Sequence, residues 1–503
     1  MVRQLLWNEA MVKTQRVWLV ALVSMVGCSR WAEPTPSPAP PTAANPMTVE
    51  PLVEAPLLSQ LRTKVEAEPT IDLEAEAEAE AVEIEAQAPI GTVVLERYST
   101  VRGEPRLGAP ELGLLAAGAR VEILGRVEAE GCARPWLAIA PRGFVCARNK
   151  PTTKPATGML PIVPAGARVP GVYGSVAKEA LVYASLDEAA LGLNGRSPGR
   201  SLTVRSQRLA SRQGRSFWKT RHGWFAAQDV RRFRGSSFHG ELLGEGLVQP
   251  MVWTLPAPKL HTVSVRQAPE ADATVVAQLG PRKARVVLEQ RDGFVRVDEG
   301  WILRSRVRMA EATEAPDGIE SGERWIDIDL QEQVLVAYEG DTPIYATMIS
   351  SGRGSHRTPT GVYRISRKVA ERTMNSMADS STSYSVDKVP WTAYFATGYA
   401  LHAAFWHNGF GRRRSHGCVN LAPHDARALY QWMTPAAAPG WAEVYGNAGQ
   451  PGAVVRLRSK RDPNPAWKGY AKDLRDAVGE PVQVASATAG VAPGRGASSV
   501  SRG

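Results

Sequence analysis

The stretch Arg412-Arg413-Arg414-Ser415-His416-Gly417-Cys418-Val419-Asn420-Leu421 is the densest concentration of reactive side chains in the chain. Immediately after it, Pro423 suits a first helical turn, and Ala426, Leu429, Tyr430 and Met433 recur at helical spacing. Cys418 therefore sits on a loop or strand end just before a helix amino terminus. A thiol placed there and near imidazoles has a stabilised thiolate, which makes it a usable nucleophile. Two imidazoles lie upstream, in Tyr399-Ala400-Leu401-His402 and in Phe405-Trp406-His407-Asn408. His402 precedes Cys418 by 16 positions (418 − 402 = 16), enough chain to fold back and set its ring beside the sulfur. Gly417 is expected to leave room for a substrate carbonyl, with the amides of His416, Gly417 and Cys418 facing an oxyanion.

Further outward the pattern is that of strands. Ile326, Ile328 and Leu330 alternate with Asp327 and Asp329, which predicts a half-buried strand with its carboxylates outward. Residues 334–338 and 344–350 continue the sheet, and Thr358-Pro359-Thr360-Gly361 stiffens the start of another strand over 361–365. Residues 371–387, rich in Ser, Thr, Asn and Met, have no clear period and are expected as a mobile loop over the site, a lid that excludes water.

Ser415-His416-Gly417-Cys418-Val419-Asn420, with the upstream histidine and the Thr-Pro-Thr-Gly turn, resembles the YkuD-type L,D-transpeptidase family over about residues 324–458. The resemblance implies a β-rich catalytic fold. It also implies a cysteine that takes an acyl group from the third residue of a peptidoglycan tetrapeptide stem, releases terminal D-alanine and passes the acyl group to an amine. On this chain it assigns Cys418 as nucleophile and His402 as proton acceptor and donor. Ser415 to Cys418 would supply the oxyanion hole, with His416 and Asn420 organising around it and no cofactor required. Two departures stand out: the gap from His402 to Ser415 is short, and Ala403 occupies a position where glycine is frequent. The short gap matches the branch with a Trp-His-Asn-Xaa-Phe-Gly stretch, here Trp406 to Gly411, and His407 is an alternative base.

Other readings of the same residues differ in chemistry. With water as acceptor the thiol would give an L,D-carboxypeptidase or amidase. His402, His407, His416 and Cys418 as metal ligands would give a zinc hydrolase, and an inactive site would leave a wall-binding scaffold. His356 and His424 read as ordinary surface or hydrogen-bonded histidines. Arg412, Arg413 and Arg414 divide between a solvated face and a grip on acidic stem carboxylates. Trp391, Tyr394, Phe395, Tyr399, Phe405 and Trp406 read as core or groove wall, with Arg414, Trp406 and Tyr399 as candidate substrate contacts.

Before the catalytic segment, short β-type runs recur three times, over 89–150, 158–235 and 256–310. Each closes on a Gly-Phe or Gly-Trp pair: Gly143-Phe144, Gly223-Trp224 and Gly300-Trp301. These units resemble bacterial SH3-like wall-targeting domains. The expected fold class is therefore multidomain and mainly β: SH3-like small barrels, then a YkuD-like catalytic domain over 322–459 with a few helices, then a tail over 460–503.

The amino-terminal part reads as export machinery. Lys13 and Arg16 precede an apolar run ending at Met25-Val26-Gly27-Cys28, which resembles a lipobox, so residues 1–28 are expected as a lipoprotein signal with Cys28 as lipid anchor. Met11 is a candidate start. Residues 29–88 combine a Pro-rich stretch with the acidic run Glu74 to Glu80, a disordered tether with reach and no core. Cys132 and Cys146 lie close together in one β-rich segment and are a candidate disulfide, which leaves Cys418 as the lone free thiol in an oxidising compartment. The net charge of +10 suits anionic envelope polymers, and no nucleic-acid motif accompanies it. The expected setting is the cell envelope or periplasm, lipid-anchored, with Ser29 pointing to an outer membrane. The expected partners are peptidoglycan stems and, as acceptors, wall-linked proteins.

Overall fold

The computed structural model describes residues 88–244, 246–376 and 383–479. Cys28, the export signal and nearly all of the tether lie outside them, as does the end of the chain beyond Gly479. The described chain is mainly β, with few helices. Among the described residues no helix is long and apolar enough to cross a membrane.

The carboxy-terminal segment that carries the Ser-His-Gly-Cys motif is built on a six-stranded sheet. Its order is Glu241–Leu242, Thr342–Met348, Val334–Glu339, Arg324–Asp329, Val454–Arg458 and Gly361–Arg364. Strand Arg324–Asp329 is central, pairing antiparallel with Val334–Glu339 and parallel with Val454–Arg458. The expected outward carboxylates are corrected here. Asp327 is buried and accepts from Arg456 Nε at 2.6 Å and Arg458 Nε at 2.9 Å. A strand buried on both faces tolerates a carboxylate only when it is paired, and the pairing arginines lie about 130 residues away, beyond the reach of local periodicity.

A second sheet faces the first across a shared core. It contains Trp441–Tyr445, the long antiparallel pair Arg367–Asn375 and Tyr384–Ala396, then Tyr399–Ala403 and Val419–Leu421. Ile326, Ile328 and Leu335 from the first sheet meet Trp391, Phe395, Leu401 and Val419 from the second, with Leu429 and Tyr430 of helix Pro423–Trp432. Of the lid expected over 371–387, residues 371–375 and 384–387 lie in these paired strands, and 377–382 fall outside the described residues. The two strands pair in register, for example Met374 with Val386 and Asn375 with Ser385, so the backbone is satisfied without an apolar period.

The first and second of the preceding β segments join the second sheet through strand pairing, while the strands of the third form sheets of their own. Strand Glu111–Leu115 of the first adds to Trp441–Tyr445, and their apolar residues form one cluster in which Leu115 and Leu137 meet Trp441 and Val444. In that unit Cys132 and Cys146 are joined as a disulfide. Strand Ser201–Arg205 of the second lies parallel to Tyr384–Ala396. The third packs a core of Val263, Val265, Val295, Ile302 and Val307. At the other end, within the segment set apart as the tail, Lys468 N donates to the Val362 carbonyl, and helix Tyr470–Gly479 follows.

Candidate active site

Strands Tyr399–Ala403 and Val419–Leu421 run parallel, with Leu401 opposite Val419 and His402 opposite Asn420. Side chains alternate between the faces of a strand. His402 and Asn420 therefore share a face, and Cys418 sits in the bend directly before the second strand. Leu401 and Val419 point the other way into the core. The short parallel pairing sets the backbone of His402 beside that of Asn420, two residues beyond the thiol, across 16 residues of chain.

Cys418 is the free cysteine among the described residues and is partly exposed. Its Sγ lies 3.7 Å from the Gly398 carbonyl. Burial pushes the thiol above its ordinary range, opposed by a hydrogen bond from the Ala400 amide. A carbonyl accepts only, so the Gly398 contact suits the protonated thiol.

His402 is buried, 3% exposed, with Nδ1 3.0 Å from the Ala403 carbonyl. Because that carbonyl can only accept, Nδ1 carries the proton and Nε2 keeps its lone pair. Burial pushes the imidazole down to about 4, with the carbonyl acting in the opposite direction, so the ring is neutral at pH 7. Ala403 in place of the frequent glycine leaves this contact intact, since the orienting group is backbone.

His407 is held differently. Its Nδ1 accepts from the Gly409 amide at 3.2 Å, so its proton sits on Nε2, 2.9 Å from the Asn420 side-chain amide. The Asn420 oxygen then belongs toward Nε2–H, which also gives a partner to an oxygen that is otherwise buried without one. Both nitrogens of His407 are occupied. Its imidazole is pushed down to about 4 by burial first, then by the charges of Arg414 and Arg282 and the ring of His402.

The loop before the thiol is tied internally. Ser415 Oγ donates to the Cys418 carbonyl at 2.5 Å and accepts from the Gly417 amide at 3.0 Å. Thr358 Oγ1 donates to the Gly417 carbonyl at 2.6 Å and accepts from the Gly352 amide at 2.9 Å. Two expectations change as a result. The Gly417 amide is taken by Ser415, so among the described residues the loop leaves the amides of His416 and Cys418 without a protein acceptor. Gly417 itself has φ +123°, and a Cβ there would lie 2.8 Å from the Tyr399 ring. Its requirement is backbone conformation and contact with Tyr399, rather than room for a carbonyl.

His416 is exposed at the rim, its ring 4.9 Å from His356 and 5.1 Å from Tyr384. Trp406 lies 5.8 Å from the His402 ring. Arg414 is exposed and lies against the Gly409 backbone. Trp391, Phe395 and Phe405 are core residues, and Phe405 stacks at 4.0 Å on Tyr173 of the second β unit. Beside the Gly398 carbonyl opens a groove of about 470 Å³, lined by Tyr363, Arg372, Tyr394, Thr397 and Tyr470 among others. Sequence reading did not find Gly398, Ala400, Tyr384 or Tyr394 as neighbours of the thiol. The Thr358 turn was visible, but its role as anchor of the Gly417 carbonyl was not. Among the described residues no group of three His, Cys, Asp or Glu side chains is placed to hold a metal ion.

The family model described as the L,D-transpeptidase catalytic domain, YkuD, matches residues 323–484. YciB of Bacillus subtilis (strain 168), described as a candidate L,D-transpeptidase, is 26% identical over 147 residues, spanning 24% of this chain and 64% of that protein. The chain thus covers a little under two thirds of that relative's length. An Enterococcus faecium L,D-transpeptidase crystal structure is 23% identical over 30% of this chain and 55% of its own, with a TM-score of 0.22. An L,D-transpeptidase from Mycobacterium smegmatis is 13% identical over 48% of this chain and 90% of its own, TM-score 0.22. Residues 323–484 therefore carry a YkuD L,D-transpeptidase catalytic domain.

Proposed function

We propose that this chain is a cysteine acyltransferase, an L,D-transpeptidase that remodels peptidoglycan. Cys418 Sγ attacks the carbonyl carbon of the third stem residue while its proton passes to His402 Nε2. The carbon–nitrogen bond to terminal D-alanine breaks, and His402 returns the proton to the departing amine. An acceptor amine then attacks the thioester, giving up a proton to His402, and the carbon–sulfur bond breaks to restore the thiol. The amides of His416 and Cys418 are the candidate donors to the oxyanion.

One observation carries this reading. The Ala403 carbonyl holds the proton of His402 on Nδ1 and leaves Nε2 as a neutral acceptor on the strand paired with the one that Cys418 precedes, whereas His407 is engaged at both nitrogens. His407 then acts as a support for Asn420. Export through residues 1–28, anchoring by Cys28 and attachment of the three β units to the wall belong to the same proposal, in which the enzyme works outside the cytoplasm.

The test is incubation of the full chain with purified tetrapeptide muropeptides, read by mass spectrometry. The expected result is a covalent adduct at Cys418 and a cross-linked dimer, both lost in Cys418→Ala. Tripeptide without dimer would assign water as acceptor. No adduct, with activity surviving Cys418→Ala, would overturn the proposal.

A further inference from the structure

Five arginines from two separate parts of the chain converge beside the loop that carries His407. Arg282, Arg306 and Arg308 come from the third β unit, and Arg412 and Arg414 from the loop itself. Arg282 Nη1 donates to Asn408 Oδ1 at 2.5 Å and its other Nη to the Asn408 carbonyl. Arg308 Nε donates to the Gly411 carbonyl at 2.8 Å. Arg412 reaches back to the Pro256 carbonyl, and Arg414 lies against Gly409.

What holds these side chains is neutral. Among the described residues none of the five forms an ion pair. Glu332, the carboxylate that acts on Arg308, is taken by Arg304 at 2.8 Å and by the Met309 amide at 3.0 Å. Arg308 and Arg412 are pushed below the ordinary guanidinium range, first by burial and then by neighbouring arginines. Folding therefore holds like charges together at a cost that Glu332, already engaged elsewhere, offsets only in part at Arg308.

We infer that the ledge formed by Arg282, Arg306, Arg308, Arg412 and Arg414 is a binding site for an anionic polymer whose repeating charge is phosphate. All five residues are arginine, the side chain whose planar fork matches oxyanions. Several forks ranged along one loop suit repeated tetrahedral anions, each with three or more accepting oxygens, better than planar carboxylates with two. Charge arriving from two segments suits a ligand with several anions rather than one. Asn408 and Gly411 share a loop with His407, so a bound polymer would lie alongside the catalytic strands. This inference concerns binding and does not depend on the transpeptidase reading.

Titration calorimetry of the full chain carrying Cys418→Ser, with inorganic tripolyphosphate as probe, tests it at two salt concentrations without turnover. Saturable binding that weakens with salt is expected. Arg306→Gln with Arg414→Gln should weaken it by about tenfold or more, the loss of charge-assisted hydrogen bonds. Neither side chain donates a hydrogen bond within the described protein, and thermal denaturation checks the fold. If the double variant unfolds, Arg306→Gln alone should show the same direction. Absence of binding, equal binding by a folded variant, or equally tight binding of hexaglutamate would overturn the assignment.

Discussion

Asp387, whose side chain is 2% exposed, accepts a hydrogen bond from Arg221 Nε at 2.6 Å across the joint between the hairpin beside the nucleophile and the second β unit. His222 Nε2 lies 3.2 Å from the same oxygen, and Arg205 pairs with Glu371 on the other hairpin strand. Tyr384, three residues before Asp387, stands 5.1 Å from His416. The second unit therefore helps fix the hairpin strand that borders the thiol.

Asp387→Ala should destabilise the protein by about 3 kcal/mol, near the lower end for breaking a buried pair because Arg221 is half exposed. Chemical denaturation measures it. Burial raises the Asp387 carboxyl, but hydrogen bonds from His222 and Arg221 outweigh it and leave the group below its ordinary value. The sign follows: a depressed carboxylate contributes stability above its unfolded value and loses it as pH falls through the folded one. In Asp387→Asn, the loss of stability as pH falls below the ordinary carboxylate value should diminish.

His402→Ala and His407→Ala should separate two roles. Loss of the base is expected to slow acylation of Cys418 by about 10²–10⁴-fold. His407→Ala leaves Asn420 without a partner and should act mainly on stability, by about 1–3 kcal/mol. Single-turnover mass spectrometry paired with thermal melts distinguishes them. Equal loss of acylation in both would mean that His407 also moves protons.

The pH profile of kcat/KM should carry its acidic limb near 4, where His402 takes up a proton. The free thiol is raised by burial. Thiolate absorbance of the resting protein should therefore remain below half its limit at pH 9, the ordinary cysteine value. Stability has the same sign. His402 and His407 are depressed from 6.5 to about 4 in the folded protein, so unfolding takes up protons and stability falls as pH drops through that window. A melting temperature flat from pH 7 to pH 4 would contradict it.

Gly417→Ala should lower stability by about 1–3 kcal/mol, because φ is +123° and the added methyl meets the Tyr399 ring. Pairing it with Tyr399→Ala should recover only the steric part. Full recovery, measured by melting temperature, would show that backbone strain contributes nothing.

The mainly β class, the YkuD-type domain and the helix starting at Pro423 were legible because each depends on local signals: short strands between turns, one contiguous motif, and proline ahead of helical spacing. The loop expected over 371–375 and 384–387 is strand instead, for the opposite reason. Met374 and Asn375 find partners in Val386 and Ser385, and Asp387 finds Arg221, yet nothing in 371–387 announces those pairings. Asp327 was placed outward by alternation and lies inward, because Arg456 and Arg458 meet it from a parallel strand.

By itself the sequence determined which reactive groups exist and how closely they are spaced along the chain, since a motif is a covalent fact. Only the tertiary structure decided which nitrogen of each histidine holds a lone pair. Protonation follows from the acceptor or donor facing the ring, Ala403 for His402 and Gly409 for His407, and such contacts come from folding rather than from order in the chain. It likewise decided which arginines stand uncompensated, because charge is neutralised across space.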